Sequence, residues 1–134
     1  MAEKNLEMKP TEIEEKIGKE IVNASYQIHK ELGPGLLERV YEVCLEYELR
    51  AKGYHVKRQV DIPIKYKEII FDEGLRLDLL IEDSVIVEVK AVELVNPVWD
   101  AQIISHLKLL DKNLGYLINF NVPLIKNGIK RFIN

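Results

Sequence analysis

Cysteine is almost absent from this chain, and its one copy, Cys44, excludes an internal disulfide. It falls among Val40, Tyr41 and Leu45 in a helical pattern, where a thiol packs as a small core residue. No separate His/Asn constellation accompanies it, which argues against a catalytic thiol. The glycine-rich turn of a dinucleotide fold is missing, as is a GxxxxGK[ST] phosphate loop. No apolar stretch approaches the ~20 residues of a membrane span. The N-terminal "MAEKNLEMKPTEIEEK" lacks the apolar region of a signal peptide, so the expectation is a cytoplasmic protein with no membrane partner. Positive charge is not in excess either. Nineteen Lys and Arg against 22 Asp and Glu leave a net charge of −3, so a nucleic-acid partner must be engaged through a local basic patch or metal ions.

What is present is a chain able to fold as one domain. The 134 residues are 47% hydrophobic, enough for a core, and the 31% charged residues are well mixed in sign, which argues against disorder. Residues 1–10 read as a flexible leader and 11–134 as a single domain. "TEIE" supplies a capping box at Thr11 and Glu14, and Ile13, Ile17, Ile21, Ala24, Ile28 and Leu32 carry a first helix to about Leu32. "GPG" at 33–35 stops it, and a second helix is predicted over about 36–52. "YHVKRQVDIPIKYKEIIF" then turns strand-like, with Pro63 marking an edge or a break. Asn96-Pro97 opens a helix to about Lys112, "GYLINFNV" reads as a buried strand and "IKRFIN" as a short last strand or tail. The order is α-α-β-β-β-α-β, with room for one more strand. It describes a mixed sheet with helices packed on it, an α/β or α+β domain.

The chemistry lies in "GLRLDLLIEDSVIVEVKA" at 74–91, an aliphatic hairpin carrying Arg76, Asp78, Glu88 and Lys90. Strand alternation puts Leu75, Leu77, Leu79 and Ile81 on one face and Arg76, Asp78 and Leu80 on the other. In the second arm Val85, Val87, Val89 and Ala91 oppose Ile86, Glu88 and Lys90. A two-residue turn at Asp83-Ser84 would set Asp78 against Val89 and mix charge into the aliphatic face. A three-residue loop over Glu82-Asp83-Ser84 instead opposes Ile81 to Val85, Asp78 to Glu88 and Arg76 to Lys90, keeping the charges together. Asp78 and Glu88 would then have Cβ atoms about 5 Å apart. Carboxylates that close repel unless a proton or a cation lies between them. A hard ion such as Mg²⁺ or Mn²⁺ suits the gap, and Lys90 reaches the same space, where it can orient or deprotonate a water. An exposed ladder of charges is the plainer alternative, but it would set like charges opposite each other twice.

The helices add candidates. Gln102 and His106 lie four residues apart on a face shared with Ser105, and Glu38 and Tyr41 are one turn apart just after the "GPG" break. Glu38 suits a helix N-terminus or serves as a third carboxylate. His29 reads as a packed or surface histidine.

These residues make the chain resemble the GxxExxY protein family, through Gly35-x-x-Glu38-x-x-Tyr41 in "HKELGPGLLERVY". The similarity continues through "LRLDLLIEDSVIVEVKAVE" and "AQIISHLK" to "GYLINFNVPLIKNGIKRFIN". That family is placed in the PD-(D/E)xK nuclease-like superfamily. The resemblance implies a restriction-endonuclease-like core, a four-stranded mixed sheet flanked by helices, and a Mg²⁺- or Mn²⁺-dependent nuclease acting on DNA or RNA. It implies Asp78 as the motif Asp, Glu88 as the (D/E) and Lys90 as the Lys. Glu38 becomes an acidic ligand from the first core helix and the Val89 backbone carbonyl a further ligand. Gln102 becomes the glutamine after the core motif, placing substrate or Lys90. His106 stands where one branch of the superfamily often has Tyr. Lys57, Arg58, Lys65 and Lys67 are candidate phosphate contacts, and self-association as a homodimer is expected by analogy with small members. The competing expectation is a non-catalytic nucleic-acid- or protein-binding regulatory module that keeps the fold.

Overall fold

Residues 9–134 are described by the structure, a computed structural model, so the leader expected over 1–10 lies almost wholly outside the described residues. Helix α1 (Glu12–Leu32) begins on the expected capping box. The Thr11 hydroxyl accepts from the Glu14 amide at 3.2 Å, and the Glu14 carboxylate accepts from the Thr11 amide at 2.9 Å. It stops at Gly33, whose φ of 69° favours glycine and whose amide donates to the His29 carbonyl at 2.8 Å. Helix α2 (Glu38–Ala51) starts slightly later than the pattern predicts, because Leu37 stays extended.

Five strands follow where four were expected: β1 (Val56–Tyr66), β2 (Ile69–Ile81), β3 (Val85–Lys90), β4 (Leu114–Asn119) and β5 (Ile129–Ile133). The extra strand forms because "IKRFI" can zip antiparallel along β4, which would otherwise be an open edge, with Phe132 packing into the core beside it. The sheet order is β1-β2-β3-β4-β5 and only β3 and β4 run parallel. A parallel pair needs a crossover, and α3 (Val98–Leu110) supplies it. Its start is held by the Asn96 side chain, which accepts from the Val98 amide at 3.0 Å. It ends two residues before the predicted Lys112, because Asp111 turns left-handed at φ 52°. Pro63 sits on edge strand β1 where the register shifts between Ile62 and Ile64, a place that has no use for its missing amide.

Two apolar clusters sandwich the sheet. The larger joins Ile17, Ile21 and Ile28 of α1, and Tyr41, Leu45 and Leu49 of α2, to Val85, Val87, Val89 and Ile118. The smaller joins Leu107 of α3 to Leu77, Leu80 and Ile86. Each of these fully buried side chains stabilises the fold by about 1.5–3 kcal/mol relative to exposure.

The hairpin loop is the three-residue one, with Ile81 opposite Val85, Leu80 opposite Ile86 and Leu79 opposite Val87. Two expectations fail beyond that point. Arg76 does not face Lys90, since the β2–β3 ladder ends at Leu79↔Val87 and Arg76 instead pairs with Asp61 of β1, Nε to Oδ1 2.9 Å. Nor do Leu75 and Leu77 share a cluster with Leu79 and Ile81; they pack with the α3 side, the latter two with the α1–α2 side. The strand changes sides at Asp78. Opposite it on β1, between the pairs Arg58↔Leu79 and Val60↔Leu77, stands Gln59 with φ 55°, and there the alternation of β1 breaks as well.

Candidate active site

Where the β2–β3 ladder stops, carboxylates take over its hydrogen bonds. Asp78 Oδ2 accepts from the Val89 amide at 2.8 Å, and Glu88 Oε2 accepts from the Asp78 amide at 3.3 Å. Each acid is thus pinned to the other's strand, and both are drawn into the hairpin rather than splayed into solvent. The hydrophobic pattern placed them opposite each other; the lost ladder bonds fix their direction.

Helix α2 brings two more acids to the same place. Glu38 opens the helix and Glu42 follows one turn later, and each offers an oxygen within 4.8 Å of the other and of Asp78. The approach of α2 is set by Tyr41, whose hydroxyl donates to the Gly33 carbonyl at 2.7 Å and accepts from the Leu36 amide at 3.0 Å. Its ring stacks on Phe120 with centroids 4.4 Å apart. Gly35, at φ 96°, lets the chain turn between those two anchors. In the pattern Gly35-x-x-Glu38-x-x-Tyr41, Gly35 and Tyr41 hold the loop and Glu38 faces the acids.

Glu42 is 3% exposed and was not foreseen. Its Oε1 accepts from Gln59 Nε2 at 2.8 Å and from Arg58 Nη1 at 3.3 Å, while Arg58 Nε also meets Glu46 at 3.2 Å. Arg58 is therefore occupied with α2 rather than free for phosphate. The spacing Glu38-x-x-x-Glu42 is a same-face helical pair, the signal by which it could have been found. Gln59 had none, because its place depends on the edge-strand register.

Burial raises the proton affinity of these acids. Glu88 is pushed up to about 8, first by removal from water and then by the charge of Asp78. Asp78 is raised by burial against the opposing pull of the Val89 amide, and Glu38 is raised by burial and by Asp78. The Lys90 ammonium favours the charged form of all three. Its Nζ lies 4.8 Å from the ring centroid of Trp99, and it forms no ion pair with a described carboxylate.

The other candidates lie elsewhere. Gln102 is exposed on α3 and lines an open groove of about 420 Å³ with Ser105, His106, Leu75 and Val98, a groove that none of the four acids lines. His106 is half-buried there, its Nδ1 without a described partner, and burial lowers its proton affinity. His29 Nε2 donates to the Val122 carbonyl at 2.8 Å, a packed histidine. Cys44 packs half-buried against the larger core, and burial raises its thiol pKa. Among the described residues no helix is long and apolar enough to cross a membrane.

A mixed sheet with acids gathered where an antiparallel pair parts defines a nuclease-like domain. The family model of the PD-(D/E)XK nuclease superfamily matches residues 15–132, and the chain belongs to that superfamily. Comparison with curated proteins and with solved structures gave no match.

Proposed function

We propose that the chain is a Mg²⁺- or Mn²⁺-dependent nuclease that hydrolyses phosphodiester bonds of DNA or RNA at Asp78, Glu88 and Lys90. The observation that carries this reading is the half-buried Asp78–Glu88 pair, two carboxyl groups each bonded to a backbone amide of the other's strand. Oxygens of Glu38, Glu42 and Asp78 lie within 4.8 Å of one another, an all-oxygen set that suits a hard divalent ion. Glu88 stands outside that set but bonds the Asp78 amide, and the Glu38 carboxylate accepts no hydrogen bond from the described residues. Asp78, Glu88 and Glu38 would hold the ion, with the Val89 carbonyl as a further oxygen. Bound there, the ion would polarise the phosphate and acidify a water. The chain's own work is to desolvate that place, to fix the carboxylates against each other's strands, and to bring the Lys90 ammonium beside the attacking water. The Trp99 ring, 4.8 Å from the Lys90 ammonium, holds it by a cation–π contact. Gln102 places substrate from the α3 groove, Lys57, Lys65 and Lys67 supply phosphate contacts, and the homodimer belongs to the same proposal.

Labelled single- and double-stranded DNA and RNA incubated with Mn²⁺ test it. The parental chain should cleave at least one of them, chelation should stop cleavage, and Glu88→Gln and Lys90→Ala should be inert. Cleavage that survives both substitutions would place the chemistry elsewhere. Thermal stabilisation by Mn²⁺ without turnover would favour the binding-module alternative.

A further inference from the structure

One residue beside the acids is held in a conformation its type seldom adopts. Gln59 has φ 55°, a left-handed position that glycine takes freely and a side chain takes only when something else is gained. It stands on edge strand β1 in the gap between Arg58↔Leu79 and Val60↔Leu77, so its backbone lies opposite Asp78. The turn of its backbone aims the side chain at α2, where Nε2 donates to Glu42 Oε1 at 2.8 Å. The same amide favours the charged form of Asp78. Glu42 and Asp78 in turn have oxygens within 4.8 Å of each other, though one sits on a helix and the other on a strand.

We propose that Gln59 is a positioning residue: from its left-handed place on β1, opposite Asp78, it ties Glu42 of α2 to the strand beside Asp78 and so sets the spacing of the carboxylates around the cation. The inference rests on the metal-site reading above. The choice of residue type is chemically specific. A neutral amide can hold the Glu42 carboxylate in place without neutralising it, whereas Lys or Arg at this place would itself be the cation the acids attract. Neighbouring Arg58, bonded to both Glu42 and Glu46, balances the charge of the nearly buried Glu42; Gln59 adds a neutral bond to it from the strand position opposite Asp78.

Two substitutions in the full chain separate the link from the fold. Gln59→Gly removes the amide and relieves the backbone, so its Tm should equal or exceed that of the parental chain. Gln59→Met keeps the length and the backbone conformation and removes only the amide. Mn²⁺ affinity is then measured by titration followed by electron paramagnetic resonance, alongside Tm. The expected result is an affinity about 10-fold or more weaker in both variants, with the Tm of Gln59→Gly undiminished. Parental affinity in either variant would overturn the role of Gln59 and leave the metal site standing. Failure of the parental chain to bind Mn²⁺ at all would overturn the metal-site reading, and the positioning role with it.

Discussion

The two halves of β2 treat charge in opposite ways. In the outer half, Ile69–Arg76, residues are exposed or partly so, and Arg76 meets the opposite charge of Asp61 at 2.9 Å in the solvent. Two residues further on, Asp78 is half-buried and lies beside not a cation but Glu88, with only amides and the more distant Lys90 to compensate. The outer half follows the ordinary rule for exposed ion pairs and gains little from it. The inner half breaks that rule at a site where an unpaired buried charge is expensive. An arrangement that is unfavourable by itself and favourable with a divalent ion is what distinguishes a site from a surface.

The contrast can be broken by experiment, and the largest effect expected is on activity. Glu88→Ala and Lys90→Ala should each lower cleavage at least ~100-fold, while Arg76→Ala, on the same hairpin, should leave it unchanged. A nuclease assay on the three variants decides whether chemistry belongs to the inner half alone.

The next effect is on stability and its pH dependence. Glu88 rises from 4.5 to about 8 on folding, so the folded chain keeps a proton that the unfolded chain releases. Stability from this group is full below pH 4.5 and is lost as pH rises towards about 8. Cation-free protein should therefore weaken over that window, by on the order of 2 kcal/mol once coupling to Asp78 is allowed for. Glu88→Gln, which cannot ionise, should flatten the slope and raise Tm near pH 8 by about 5 °C. Added Mn²⁺ should stabilise the parental chain there and not the variant. An unchanged slope in Glu88→Gln, followed by thermal melting across pH, would remove burial of this acid from the account.

Tyr41→Phe comes third. It deletes the hydroxyl that bonds Gly33 and Leu36 while keeping the stack on Phe120, and should lower stability by about 1–2 kcal/mol. If that hydroxyl also sets the approach of Glu38, Mn²⁺ affinity should fall with it, a difference calorimetry reads. The smallest effect is on the outer half. Asp61→Asn breaks the exposed pair with Arg76 and should change stability in denaturant by no more than about 0.5 kcal/mol.

Much of the fold was legible because periodicity and punctuation are local. Thr11 and Glu14 cap α1, the glycines at 33 and 35 break the chain, and the aliphatic arms fix a three-residue loop. The nearness of Asp78 to Glu88 follows from that same parity, although the ladder stops one pair short of them. What parity could not supply was its own failure. Alternation assumes an unbroken strand, whereas Gln59 turns left-handed and β2 changes sides at Asp78, which sends Leu77 to the α3 cluster and Arg76 to Asp61. Glu42 was hidden for another reason. Its helical spacing from Glu38 is written in the chain, but nothing local says that Arg58 and Gln59 arrive from a distant strand to bury it. The outlying strand β5 was half visible, since five residues of mixed pattern become a strand only beside an open edge of β4.

The central claim, that Asp78 and Glu88 are kept together for a divalent cation, is tested most directly by anomalous diffraction from crystals soaked in Mn²⁺. The account predicts a manganese peak bridging the two carboxylates at roughly 2.1–2.2 Å, with Glu38 turned towards it. A well-ordered Asp78–Glu88 pair with no peak between them, at a concentration that loads manganese elsewhere in the crystal, would contradict it.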